Sequence, residues 1–150
     1  MSNSTTIYPP ATIPAAGPKI FLAGSIEMGQ APDWQQQIID TLADQNCIWL
    51  NPRRRDWDSS WRAEIDNPVF VEQVEWELAG QEQADLIAMY LDPGTKAPIS
   101  LLELGLFANS GKMIVCCPEG YWRKGNVDVV CRHHGVYQVP TLELLISTLR

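Results

Sequence analysis

The chain has 150 residues, enough for one domain and too few for two of ordinary size. With 45% hydrophobic and 19% charged residues it can bury a core without a metal or disulfide staple, and no apolar run approaches the ~18 residues of a membrane span. Eleven basic against eighteen acidic residues give a net charge of −7, the wrong sign for gripping a nucleic-acid polymer by its phosphates. A nucleoside or nucleotide is not excluded by that balance.

Residues 1–18 hold no charged side chain and four prolines, Pro9, Pro10, Pro14 and Pro18. They lack the basic and apolar regions of a secretory signal and read as an extended arm, flexible unless it docks on a neighbour. The domain itself is expected over 19–150. Ile20-Phe21-Leu22-Ala23 is a buried strand that ends in a tight turn at Gly24-Ser25. Pro32-Asp33-Trp34 opens a helix with Trp34, Ile38, Ile39 and Leu42 on one face. Cys47-Ile48-Trp49-Leu50 is a second strand, closed by Asn51-Pro52, and a polar loop rich in Arg, Asp and Trp runs on to Asp66.

Asn67-Pro68 predicts a helix start, an N-cap followed by proline in the first turn. That helix extends to about Gln83, with Val71, Val74 and Leu78 expected inward. Leu86 to Leu91 is the third strand. Pro98 begins a helix that Gly111 ends, Met113 to Cys117 is the fourth strand, and Val136 to Val139 the fifth. Thr141 caps a last helix to Leu149. Continuous apolar strands alternating with amphipathic helices predict a doubly wound, flavodoxin-like α/β domain with a five-stranded parallel sheet and helices on both faces. Ligands of such sheets bind beyond the carboxyl ends of the strands. That rule selects 24–29, 51–61, 92–103 and 119–128.

The four cysteines, Cys47, Cys116, Cys117 and Cys131, form no CxxC pair. They suggest buried, reduced thiols in a cytoplasmic protein, with neither a zinc site nor a disulfide framework.

Glu103 is the only ionisable side chain between Lys96 and Lys112. At helical spacing it shares a face with Ile99, Leu102, Leu106 and Phe107. An unpaired carboxylate on an apolar face carries a desolvation cost of several kcal/mol. Two readings follow: a buried glutamate paired with an arginine from another segment, or a reactive carboxylate.

Glu103-Leu104-Gly105 on a helix, after a strand bearing Ala84-Asp85 and a proline-containing loop, resembles the nucleoside 2-deoxyribosyltransferase family. Phe21-Leu22-Ala23-Gly24-Ser25-Ile26 resembles the first strand and turn of that family and of the related nucleotide N-glycosidases. The likeness covers 19 to about 140. It implies a double displacement at the anomeric carbon of a deoxynucleoside, in which the carboxylate matching Glu103 expels the nucleobase and carries the sugar as an ester. A second base then attacks. No cofactor or metal is implied, and the partners are a deoxynucleoside and a free nucleobase.

Counting eight residues back from Asp85 places Glu77 at the family's base-assisting carboxylate, although Glu75 reads as closer to the apolar face. Asp56 and Asp58 are rivals, in a loop where Trp57 and Trp61 could stack on a base. A solvated charged loop and an exposed helix carboxylate are the plain alternatives. Asn126 matches an asparagine that a neighbouring subunit supplies in the family, which implies a homo-oligomer; a turn asparagine after Gly125 is the alternative.

Departures are clear. Phe21 stands where the family often has a tyrosine, and Ala97 where it has a sugar-binding aspartate, so Asp92 is the substitute candidate. Gly24 and Ser25 are the remaining substrate-binding candidates. Relatives that hydrolyse nucleoside monophosphates carry a basic turn near Gly24, whereas this chain has Glu27 and no Lys or Arg between Lys19 and Arg53. A free nucleoside is therefore the expected substrate. A phosphate-binding N-glycosidase and a catalytically silent nucleotide-binding domain remain as alternatives.

Overall fold

A computed structural model describes residues 3–27, 30–54, 56, 58 and 60–150. The apolar runs become strands where expected: β2 (Lys19–Gly24), β3 (Ile48–Leu50), β4 (Leu86–Tyr90), β5 (Met113–Cys116) and β6 (Tyr137–Val139). A sixth strand, β1 (Thr5–Ile7), comes from the arm. The sheet order is β1-β3-β2-β4-β5-β6, and every neighbouring pair runs parallel. Without β1 this is the flavodoxin-like order, in which the strand sequence reverses beside β2.

The sheet therefore has six strands rather than five. β1 pairs with β3 in the register Thr5 to Ile48 and Ile7 to Leu50, because β3 would otherwise leave one edge of unpaired backbone groups. Further along the arm, Trp76 Nε1 donates to the Ala11 carbonyl at 2.9 Å, and Ile13 lies near the flank of Gly80. The arm is docked on its own domain, not loose.

Two helices cover one face: α1 (Trp34–Thr41), capped by Asp33 through the Gln36 N–H, and α5 (Leu142–Leu149), capped by Thr141 through the Leu144 N–H. They pack Trp34, Ile38, Leu42 and Leu145 on Ile20, Leu22, Ala88 and Ile114. The other face carries α2 (Pro68–Gln83), α3 (Pro98–Phe107) and α4 (Lys124–His134) over Phe21, Ala23, Ile87, Met89 and Val115. Strand alternation separates these two sets cleanly. All four cysteines are free and buried.

Expectations about the second face fail in α2 and α3. In α2 the buried residues are Gln73, Trp76, Gly80 and Gln81, while Val74 is exposed and Val71 and Leu78 are only partly covered. Glu75 is exposed too, not on a buried face. In α3, Ser100, Glu103 and Leu104 are buried, and Ile99, Leu102 and Leu106 face outward at 61%, 61% and 56% exposure. Asn126, for which a turn was the alternative reading, lies in the first turn of α4. This helix supplies the crossover that parallel β5 and β6 require.

Candidate active site

The order reversal beside β2 places the carboxyl ends of β2 and β4 at the centre of the sheet's ligand-binding edge. Gly24 ends β2 at φ +136°, and an added Cβ would lie 2.0 Å from the Tyr90 carbonyl oxygen. Only glycine fits there. Ser25 follows, fully buried, with its hydroxyl 2.6 Å from Thr95 Oγ1 and accepting from the Asp92 N–H at 2.9 Å. Asp92 accepts from the Gly94 N–H at 3.0 Å and from the Tyr90 hydroxyl at 3.3 Å. Ser25 and Asp92 thus lock the β2 and β4 turns together.

That lock sets the start of α3. Ala97 and Glu27 are the two non-glycine residues with positive φ among the described residues, at +46° and +49°, and each carries backbone strain of about 1–3 kcal/mol. They are joined: the Glu27 carboxylate accepts the Ala97 N–H at 2.7 Å. A carboxylate of the chain itself therefore occupies the helix N-terminus, the place where an external anion would otherwise be drawn.

Glu103 lies a turn and a half into α3, 7% exposed, and is met by glutamine rather than arginine. Gln81 Nε2 donates to Glu103 Oε2 at 2.7 Å and to the Glu77 main-chain oxygen at 3.2 Å. One turn earlier, Gln73 Nε2 donates to Glu77 Oε2 at 3.2 Å and to the Pro52 carbonyl at 3.1 Å. Gln73, Glu77 and Gln81, spaced by four, form one stripe of α2 that faces Glu103 and the loop after β3.

Both carboxyls resist ionisation. Burial pushes Glu103 up to about 7, with the Gln81 N–H pulling the other way. Burial also raises Glu77, to about 8, with a further push from the Glu103 charge and a smaller opposing pull from Gln73. Buried polar atoms around them, Gln73 Oε1, Gln81 Oε1 and Asn51 Nδ2, have no partner among the described residues. Such atoms are rare in native interiors.

Asp56 and Asp58 are held by partners of their own. Asp56 is gripped by Arg54, Nε to Oδ1 at 3.0 Å and Nη2 to Oδ2 at 3.2 Å, which holds its carboxyl below the usual range. Asp58 is lowered by the Ser60 hydroxyl at 2.7 Å. Both are exposed and fully ionised at neutral pH, so neither is a proton donor. Trp57 lies outside the described residues; Trp61 carries the Arg54 guanidinium 5.0 Å above its ring. Phe21 is buried, tilted against Trp76 with centroids 6.0 Å apart, and close to Gly80. Asn126 is exposed in the first turn of α4 and lines a groove of about 500 Å³ with Leu101, Leu104, Gly105, Trp122 and Val130.

Gln73 and Gln81 were not singled out from sequence. The signal was present: two glutamines and a glutamate at four-residue spacing, beside Trp76 and Gly80.

Residues 17–121 match the family described as nucleoside 2-deoxyribosyltransferase like. The chain belongs to this family. The match spans β2 through the loop after β5 and so contains the whole Gln73–Glu77–Gln81–Glu103 cluster. A solved structure of a conserved protein from Enterococcus faecalis V583 has the same fold, with a TM-score of 0.60 at 16% identity, covering 88% of this chain and 96% of that one. Among curated proteins none matches the chain. No helix among the described residues of this deoxyribosyltransferase-like protein is long and apolar enough to cross a membrane.

Proposed function

We propose that this protein transfers 2-deoxyribose between nucleobases through a deoxyribosyl ester on Glu103. The observation that carries the reading is the buried Glu103 carboxyl, held by Gln81 at 2.7 Å, with the Glu77 carboxyl near it across the α2–α3 seam in a member of this family. Both carboxyls are raised by burial, and the like charge between them opposes ionising both at once, so the pair can offer one carboxylate and one acid. Glu103, which matches the family's nucleophile, takes the carboxylate role. Glu77 then holds the proton.

In the first half-reaction a Glu103 carboxylate oxygen bonds to C1′ as the C1′–N bond breaks. The electron pair of that bond leaves on the nucleobase, and Glu77 supplies the proton that the departing nitrogen takes up. In the second half-reaction a nitrogen of the acceptor base bonds to C1′, its proton returns to Glu77, and the ester bond breaks to restore the carboxylate. Two inversions leave the anomeric configuration retained. Burial keeps water from the ester. No cofactor enters the balance.

Glu27 supports a free nucleoside rather than a 5′-monophosphate. Its carboxylate already sits at the Ala97 N–H, and a second anion at that helix terminus would meet like charge. Ser25 and Asp92 enter as the residues that hold this turn, with Asp92 the side chain nearest in kind to a sugar-hydroxyl acceptor.

The working unit in this reading is a homo-oligomer. Glu103 lies beside the outward stripe Ile99, Leu102 and Leu106, and Asn126 lines a groove between α3 and α4 with Leu101, Leu104 and Trp122, which is 48% exposed. A second copy of the chain covering this stripe would enclose Glu103 from the open side and bring its own Asn126 within reach of the neighbour's sugar. The proposed setting is the cytoplasm, with nucleoside salvage as the role.

Base exchange tests the reading. Thymidine plus adenine, with several other donor and acceptor pairs, should give the exchanged deoxynucleoside on chromatography, and Glu103→Ala should abolish it. Absence of exchange with every pair refutes the reading; free base released without acceptor, especially from a monophosphate, assigns an N-glycosidase instead.

A further inference from the structure

Two features of the site remain without a role: α2 buries a glutamine against the Glu103 carboxyl, and Phe21 of β2 brings no polar atom to the same face. Gln81 is wholly buried, and both hydrogens of its amide nitrogen are taken, one by Glu103 Oε2 at 2.7 Å and one by the Glu77 carbonyl at 3.2 Å. The second contact determines what the first can be. A main-chain carbonyl only accepts, so it fixes which end of the amide faces α3. Turning the amide over would set its oxygen against the Glu77 oxygen. Glu103 therefore meets an N–H, a partner that favours the ionised carboxylate over the acid.

The rest of the surroundings offers no substitute. Phe21 has no polar atom, and its ring is packed near Gly80, the residue before Gln81. The β2 and β4 side chains on this face, Phe21, Ala23, Ile87 and Met89, are apolar. Glu103 is the only ionisable side chain on its own helix, and the titratable group facing it from α2 is Glu77, whose charge opposes ionisation. No cation forms an ion pair with Glu103 among the described residues.

We infer that Gln81 is the positioning residue of the nucleophile: it orients one Glu103 oxygen and favours its ionised form through an amide N–H that the Glu77 main-chain carbonyl keeps aimed at α3. The inference rests on the transferase reading for its meaning in catalysis. The contact itself does not. A neutral donor suits the task. An arginine or lysine would stabilise the anion so strongly that bond formation to C1′ would lose its driving force, whereas an amide holds the oxygen and leaves it reactive. The oxygen that bonds to the sugar is then the free Oε1, with Oε2 kept on Gln81 throughout.

The test compares wild type with Gln81→Met, which keeps length and bulk but donates nothing. Two measurements are made on each: the titration midpoint of Glu103 by carboxyl carbon-13 NMR, assigned through Glu103→Gln, and kcat and KM for base exchange across pH. Loss of one charge-assisted hydrogen bond should raise the Glu103 midpoint by about one to two pH units. It should also lower neutral-pH kcat about 10- to 100-fold with KM nearly unchanged, and part of the loss should return as pH is raised. Gln81→Asn, whose amide falls short of α3, should shift both in the same direction and serves if the methionine variant does not fold. An unmoved Glu103 midpoint in a folded variant overturns the inference, as does a raised KM with kcat and pH profile intact. A midpoint that moves in a wild-type protein that exchanges no base keeps the Gln81–Glu103 coupling and overturns the transferase reading.

Discussion

Replacing Glu103 with glutamine should stabilise the protein, and the gain should grow with pH. In the unfolded chain this carboxyl ionises near its ordinary 4.5; in the fold burial pushes it to about 7. The native state thus holds a proton that the unfolded chain has already released, so stability falls as pH rises from about 4.5 through about 7 and then levels off. At ~1.36 kcal/mol per pH unit, the gap between the two values corresponds to roughly 3 kcal/mol above pH ~8. Glutamine at 103 escapes this cost and still accepts from Gln81 Nε2. Relief of the like charge beside Glu77 acts in the same direction. Urea or thermal unfolding of both proteins at about pH 5 and about pH 8.5 should show the stability difference widening by about 2–3 kcal/mol, or roughly 5–10 °C in Tm. A difference that stays constant across that range refutes the reasoning, because it would mean the Glu103 charge is as well solvated in the fold as in water.

Three further outcomes follow from the same geometry. Glu77→Gln should lower kcat by about 10²–10³ and remove the alkaline limb of the pH–rate profile, which its proton sets near about 8; an unaltered alkaline limb would assign the proton elsewhere. Glu27→Gln keeps an acceptor for the Ala97 N–H while removing the charge, so the preference for thymidine over its 5′-monophosphate, read as a ratio of kcat/KM, should fall by roughly tenfold. Glu103→Gln and Asn126→Ala, each deficient alone, should regain exchange activity when their subunits are dissociated and reassembled together. Mixed oligomers without recovered activity would place Asn126 outside the neighbour's site.

Strands β2, β3, β4 and β5 were legible because strands buried on both faces are written as unbroken apolar runs, which hydropathy reads directly, whereas β6 is an edge strand with Tyr137 and Gln138 exposed. Helix starts were legible where chemistry marks them, as Asp33 and Thr141 do by capping and Pro68 and Pro98 by filling the first turn. What hydropathy misassigned is the seam where the candidate site lies. It turned Val74 inward and left Gln73 and Gln81 unremarked, although both glutamines are buried and hydrogen-bonded. It also gave Glu103 the company of Ile99, Leu102 and Leu106 without showing that this stripe faces outward. Hydrophobic patterning assumes that burial means apolarity, and it fails where buried polar groups satisfy one another. The family resemblance supplied what patterning could not. It pointed, eight residues before Asp85, to Glu77, which the fold sets near Glu103, while Asp56 and Asp58 remain with Arg54 and Ser60. The strand in the arm was beyond local reading, since Thr5–Ile7 is a strand only because β3 presents an edge to it.

The central claim is a covalent bond between Glu103 and deoxyribose. The most direct measurement is intact-mass analysis of the protein incubated with a deoxynucleoside and no acceptor base, followed by peptide mapping of any adduct. Added mass of one deoxyribosyl group, carried by the peptide containing Glu103, absent from Glu103→Gln and discharged by adding a free base, is the predicted result. Exchange activity without any such adduct, or an adduct on another residue, would contradict it.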